Sequence, residues 1–280
     1  MTNEPDDLNE VLASVDAWPV DTVAVGVTTA TEVVATHGPV DQRFALASVT
    51  KPLAAVGVLL AAQAGAIHLD EPAGPPGATI RHLLAHASGL PMSPGGPDTE
   101  VGRRRVYSNV AFDLLGQVVA ERVGTDFSTH LDLEVFEPLG MDATTLDGSP
   151  AHAATATVTD LLAFARELLQ ADLLDDDTWS ELATVQFPDL DGVVPGYGRQ
   201  APCPWGLGVE IRGRKSPHWT GPSQPGSVFG HFGQSGTWVW VDRDSGVAAA
   251  CLADRDFGPW AKDAWAPFND RLATSLGAST

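Results

Sequence analysis

Lysine is scarce in this chain of 280 residues: Lys51, Lys215 and Lys262 are the only three among 16 basic residues, which face 36 aspartates and glutamates. The formal net charge of −20 disfavours nucleic acid and anionic membrane surfaces as partners. Cysteine is scarcer still. Cys203 in a proline-rich loop and Cys251 in an alanine-rich strand read as structural thiols of a reducing compartment, not as a disulfide framework. Long apolar runs are missing as well. The longest, Pro52 to Ala62, is too short to cross a bilayer. Met1 to Glu10 is polar and acidic, with neither the basic nor the apolar region of a secretory leader, so a cytoplasmic location is expected. His82 and His86 are four apart, as helical metal ligands are, but lack the glutamate of H-E-x-x-H. No metal site and no cofactor are expected.

What remains is an ordinary globular composition, 44% hydrophobic and 19% charged, and length enough for one large domain or two lobes. Thr22 to Ala30 and Thr31 to Thr36 are β-branched runs that meet in a turn, the pattern of a hairpin. A helix is expected from about Ser48 to Ala64. Pro52 lacks the N–H that would bond residue 48, which is tolerable only near a helix start. Beyond it the segment is apolar on all sides, as in a buried central helix, and Gly65 ends it.

Further helices are expected over Ile80–Ala85, Val110–Val123, Phe127–Val135 and Thr159–Leu169. A loop-rich crossing, Phe187 to Pro204, returns the chain to strands at Trp205–Arg212, Ser227–Phe232, Thr237–Asp242 and Val247–Asp254. A closing amphipathic helix spans about Ala261 to Leu276. Strands at both ends with helices between them imply one mixed domain over residues 1–280. Its sheet lobe is expected over about 1–66 and 195–280, with an inserted helical lobe over about 67–194.

The most informative stretch is Ser48-Val49-Thr50-Lys51. Residues three apart share a helix face, so the lysine can lie beside the serine hydroxyl. The first turn of a helix also favours developing negative charge. Such an arrangement activates an alcohol that is otherwise inert at neutral pH. Two segments follow in order. Tyr107-Ser108-Asn109 comes after the basic run Arg103, Arg104 and Arg105. Gly230-His231-Phe232-Gly233-Gln234-Ser235-Gly236 precedes an alternating strand.

Together these three segments resemble the signature elements of the serine β-lactamase and penicillin-binding-protein superfamily. The tyrosine in the second element is similar to the branch of class C β-lactamases, DD-peptidases and esterases. The flanking segments Phe44 to Pro52, Ile80 to Pro91 and Thr157 to Phe164 extend the resemblance collinearly over roughly residues 20 to 255. The resemblance implies an α/β fold of the α+β type: an antiparallel sheet flanked by helices, with an all-helical lobe inserted.

It also implies roles. Ser48 would be the nucleophile, and Lys51 or Tyr107 the group that takes its proton. The resemblance favours the tyrosine, its phenol pKa lowered by the lysine ammonium, while burial lowers that of the lysine. The backbone N–H groups of Ser48 and Gln234 would form the oxyanion hole. Asn109 would hydrogen-bond an acyl-side carbonyl or amide. His231 would relay a proton to the leaving group or shape the pocket. Glycines 230, 233 and 236 would let substrate approach the strand closely.

The third element carries Phe232 where the peptidases and lactamases have a threonine. The loss of that hydroxyl weakens carboxylate recognition and favours ester hydrolysis. A small ester is therefore the expected substrate, with a DD-peptidase or β-lactamase amide substrate as one alternative. A catalytically inactive binding or regulatory protein of the same fold is another. Ser235 sits in a near match to the G-x-S-x-G elbow, but Thr237 replaces the last glycine and a strand follows instead of a helix. The run Arg103–Arg105 reads as a solvated loop that could attract an acidic substrate. Tryptophans such as Trp205, Trp219, Trp238 and Trp240 read as core and pocket wall.

Overall fold

The computed structural model of the protein describes residues 7–277, so residues 1–6 of the polar N-terminal stretch lie outside the described residues. Strands β1 (Val23–Thr29) and β2 (Val33–His37) form the expected hairpin. Short strands β3 (Phe44–Ala45), β4 (Thr145–Leu146) and β5 (Ala154–Ala156) make a small sheet in the order β3-β5-β4. A second hairpin, β6 (Gly192–Val194) and β7 (Gly198–Gln200), lies within the stretch expected to be loop. Then β8 (Glu210–Ile211), β9 (Phe229–Gly233), β10 (Thr237–Asp242) and β11 (Val247–Ala253) complete an antiparallel six-stranded sheet, ordered β2-β1-β11-β10-β9-β8.

Side chains alternate across that sheet with the strand period of two. Val239, Val241, Ala248, Ala250 and Leu252 enter one core, with the central helix Thr50–Gln63 and the helix Val158–Leu169. Trp238, Trp240, Ala249 and Cys251 enter a second core, against the terminal helices Leu8–Ala13 and Pro259–Ser275. Both faces are covered, so β10 is buried along its whole length. In the helix Thr50–Gln63, 11 of 14 residues are buried, Lys51 among them. No helix among the described residues is long and apolar enough to cross a membrane.

Several boundaries differ from expectation for local reasons. Ser48 sits in a 3-10 turn, Ala47–Val49, that leads into the helix, and not in the α-helix itself. The strand expected at Trp205–Arg212 shrinks to Glu210–Ile211, because Gly206 and Gly208 turn the chain and pair Trp205 with Glu210. The helix expected to Val135 is α-helical only to Leu131 and then widens into a π turn over Asp132–Phe136. The helix Asp176–Leu182 was not expected. Asp175 caps it by accepting the Thr178 N–H at 2.8 Å.

Candidate active site

The turn that carries Ser48 is pinned from the sheet. Ser235 Oγ donates to Ala45 O at 2.6 Å, and Thr237 Oγ1 donates to Leu46 O at 2.8 Å. Gly233 lets the end of β9 close onto the same backbone, since a Cβ there would collide with Leu46 O and Thr237 Oγ1. Ala47 is consequently held at φ +45, a left-handed conformation that a non-glycine residue adopts only under constraint from its surroundings. The half-buried Ser48 is thereby presented toward the cleft.

Lys51 is fully buried, and its Nζ lies 3.3 Å from Ser48 Oγ. It donates to Asn109 Oδ1 at 2.7 Å and to Ala151 O at 2.9 Å. Asn109 opens the helix Asn109–Val123, whose N-cap is Ser108. Ser149, which donates to Asp113, places Ala151 by accepting its N–H at 3.1 Å. No carboxylate pairs with Lys51 among the described residues. Burial drives its pKa well below the ordinary lysine value, with Asp113 offsetting part of the shift.

Tyr107 lies beneath this side chain, its ring centroid 4.6 Å from Lys51 Nζ. Its phenol pKa moves opposite to expectation. Burial pushes it up, a hydrogen bond with Ser48 offsets only part, and the Glu210 charge adds to the rise. The neighbouring Lys51 does not offset this rise. The phenol oxygen lies 3.5 Å from His231 Nε2. His231 Nδ1 is 2.6 Å from Phe232 O. A carbonyl can only accept, so the proton sits on Nδ1 and Nε2 faces the phenol as an acceptor. Burial lowers the His231 pKa to about 3, so the ring is neutral at physiological pH.

The structure thus brings Ser48, Lys51, Tyr107, Asn109 and His231 together. Gln234 and Phe232 join Ser48, Tyr107 and His231 in lining a cleft of about 50 Å³. Phe232 faces it from a cluster with Tyr197, Phe257 and Trp265. Asn109 commits Oδ1 to Lys51 and is not among the residues that line the cleft. The glycines correct an expectation. Cβ atoms at Gly230, Gly233 and Gly236 would strike Val239 O, Leu46 O and Arg255 O, so these positions make room for neighbouring backbone and not for substrate.

The roles of two groups, His86 and Glu210, escaped sequence reasoning. His86, held at φ +55, packs its ring 4.7 Å from both Tyr107 and Trp205. His82 instead stacks on Phe187 at 4.3 Å, so the two histidines do not share a site. Glu210 lines the cleft and is buried with Lys215 at 3.0 Å, His218 at 3.2 Å and the Trp219 indole N–H at 2.9 Å. These partners hold its carboxyl well below the usual range despite burial. Neither group forms a recognisable motif. The only sequence signal is the polar residues themselves, set in otherwise apolar surroundings.

An antiparallel sheet with inserted helices, and a serine beside a buried lysine and a tyrosine, define the fold class shared by β-lactamases and penicillin-binding proteins. The chain belongs to the Beta-lactamase family, whose model matches residues 20–273. A crystal structure of a β-lactamase from Mycobacterium bovis is 47% identical, with a TM-score of 0.93 over 96% of this chain and 99% of that one. Penicillin-binding protein 4* of Bacillus subtilis is 28% identical over 36% of this chain and 30% of its own length. The D-alanyl-D-alanine-carboxypeptidase/endopeptidase AmpH of Escherichia coli is 29% identical over 39% of this chain and 38% of its own. The match spans about a third of each of these two curated relatives.

Proposed function

We propose that the protein is a serine hydrolase that works through an acyl-enzyme on Ser48, with small esters as its substrates. The observation that carries this reading is the contact between Lys51 Nζ and Ser48 Oγ, with burial driving the lysine toward its neutral form. A neutral amine has two N–H donors, which Asn109 Oδ1 and Ala151 O take, and one lone pair, which is left for the Ser48 hydroxyl 3.3 Å away. Lys51 is therefore the better base of the two candidates, because the buried phenol of Tyr107 resists ionisation.

Ser48 Oγ attacks the ester carbonyl as its proton passes to Lys51. The N–H groups of Ser48 and Gln234 receive the developing oxyanion, each such donor contributing about 3 kcal/mol to transition-state stabilisation. Tyr107 gives its proton to the departing alkoxide as the ester C–O bond breaks. Lys51, protonated in the first half, restores the phenol. Water repeats the sequence to release the acid. Neutral His231, with Nε2 toward the phenol oxygen, orients the Tyr107 O–H.

Phe232 supports the ester preference. The wall it forms with Trp205 and Val194 is apolar and offers no hydroxyl to a substrate carboxylate. A second reading, hydrolysis of a β-lactam, is favoured by the relative at 47% identity, itself described as a β-lactamase. A panel of p-nitrophenyl esters and nitrocefin, run on wild type and Ser48→Ala, tests both. Ester turnover lost by at least ~10³-fold in Ser48→Ala is expected. Nitrocefin turnover without ester turnover would replace the first reading by the second. Equal ester rates in the two proteins would overturn the mechanism.

A further inference from the structure

Beside the cleft runs a second, wider groove of about 400 Å³, between the loop that precedes Tyr107 and the β6-β7 hairpin. The two meet at Met92, Tyr107 and Pro195, which line both. A molecule reacting at Ser48 can therefore continue past Tyr107 into the groove. Its walls are unusual in two respects.

The first is apolar exposure. Met92 is 52% exposed and Val193 57%, and they are two of the five most exposed large hydrophobic side chains among the described residues. Both line this groove. Exposed apolar side chains that line one groove give an apolar chain a surface to lie on.

The second is charge. Arg104, Arg105 and Arg199 line the groove together with Asp98 and Asp191. Arg199 pairs with Asp191 at 2.7 Å. Arg105 is buried, and its guanidinium donates only to carbonyls: Cys203 O at 2.9 Å, Ala85 O at 2.7 Å, Phe187 O at 3.0 Å and Gln186 O. Burial lowers its pKa to about 10, so it stays charged at neutral pH with no carboxylate beside it. Arg104 is exposed, and neither it nor Asp98 forms an ion pair among the described residues. The groove thus carries a surplus positive charge in a chain of net charge −20. The net charge of such a chain repels anions on average, so a local inversion favours their settling there.

We propose that the groove holds the far end of the substrate, an apolar arm that ends in a carboxylate, with Arg104 as the residue that receives the carboxylate. The arm lies on Met92, Pro195 and Val193, and the uncompensated Arg105 beneath adds to the attraction. This inference rests on the reading of Ser48 as an ester-cleaving nucleophile. The carboxylate it invokes lies beyond Tyr107, away from the Phe232 wall.

The test compares p-nitrophenyl half-esters of adipic, suberic and sebacic acids with the hexanoate, octanoate and decanoate esters of matching length. The quantity read is discrimination, the kcat/KM of the carboxylate ester divided by that of its neutral partner. Discrimination should peak at one arm length in the wild type. It should fall by about 3-fold in Arg104→Ala and by about 10-fold in Arg104→Glu, mainly through KM, as expected for an exposed charge pair and its reversal. Raising the salt concentration should shrink the difference. Discrimination that is the same in wild type and Arg104→Glu at every arm length would overturn the proposal. Binding without turnover separates this failure from that of the hydrolase reading. Calorimetric titration of monomethyl suberate into Ser48→Ala should weaken about 10-fold when Arg104→Glu is added. Loss of that selective binding sinks the groove. Its survival in a protein that turns over no ester sinks the hydrolase reading alone.

Discussion

His86 holds the chain on either side of Tyr107, through the N–H groups of Val106 and Ser108. The His86 carbonyl accepts the Val106 N–H at 2.9 Å, and its Nδ1 accepts the Ser108 N–H at 3.2 Å. Between those two bonds its ring packs on the tyrosine ring at 4.7 Å. Accepting through Nδ1 requires the proton to sit on Nε2, where it faces no partner among the described residues. One residue therefore sets both the backbone and the ring plane of the phenol.

Removing that grip should cost rate more than affinity. His86→Ala is expected to lower kcat on a p-nitrophenyl ester by roughly 10²-fold, the scale of a misplacement of about 1 Å, with KM changed little. Asparagine tolerates the left-handed backbone at this position and offers an acceptor oxygen to Ser108, so His86→Asn should recover part of the loss. Equal kcat in wild type and His86→Ala, or a loss carried wholly by KM, would contradict the positioning role.

Lys51 sets the direction of the pH–rate profile. Protonation removes the lone pair that accepts the serine proton, so kcat/KM should fall as the pH drops through the Lys51 pKa in the free enzyme. Because burial depresses that pKa, the ascending limb should lie well below the ordinary lysine value of 10.5. Lys51→Arg keeps a long hydrogen-bonding side chain but does not give up its proton in this range, so it should lose at least ~10³-fold of the rate. An active arginine variant would reject Lys51 as the base.

Acid should destabilise the fold before carboxylates titrate. His86, His218 and His231 are buried, and burial lowers the pKa of each from 6.5, to about 3 in His231. Below pH 6.5 the unfolded chain binds protons that the native protein refuses. Stability then falls as pH drops, by up to about 1.4 kcal/mol per pH unit for each histidine. Urea midpoints at pH 7, 6 and 5 should decline, and His231→Gln should flatten the slope by about one proton. A midpoint that does not change between pH 7 and 5 would contradict this.

The Glu210–Lys215 pair should be sensitive to losing one member. Glu210→Gln leaves the Lys215 ammonium buried without its carboxylate partner and should cost about 3–5 kcal/mol in denaturant unfolding. Replacing both, with Glu210→Leu and Lys215→Met, should recover most of that. A single variant as stable as wild type would show that water compensates the charge.

The proximity of Ser48 and Lys51 was readable because it is local, one turn of chain ahead of a proline-marked helix start. The hairpin over β1 and β2, and the burial of the helix Thr50–Gln63, followed from β-branched runs and from apolar residues on every side. The grip of His86 was not readable, since it depends on a left-handed backbone and on two hydrogen bonds to residues about 20 positions away. The pairing of Glu210 with Lys215 was hidden because both are charged residues whose burial arises only in the tertiary fold. The glycines of β9 misled for a related reason. Sequence shows that something must come close, but only the fold shows that Leu46 and Val239 backbone take the space. The rise of the Tyr107 pKa likewise required knowing that the phenol is buried with the Glu210 charge near it.

Intact mass after incubation with a fluorophosphonate, on wild type and on Ser48→Ala, tests the central claim most directly. A single phosphonyl adduct on the wild type and none on the variant is the expected result, because only an activated Ser48 hydroxyl displaces the fluoride. Equal labelling of both proteins, or of neither, would contradict a nucleophile at Ser48.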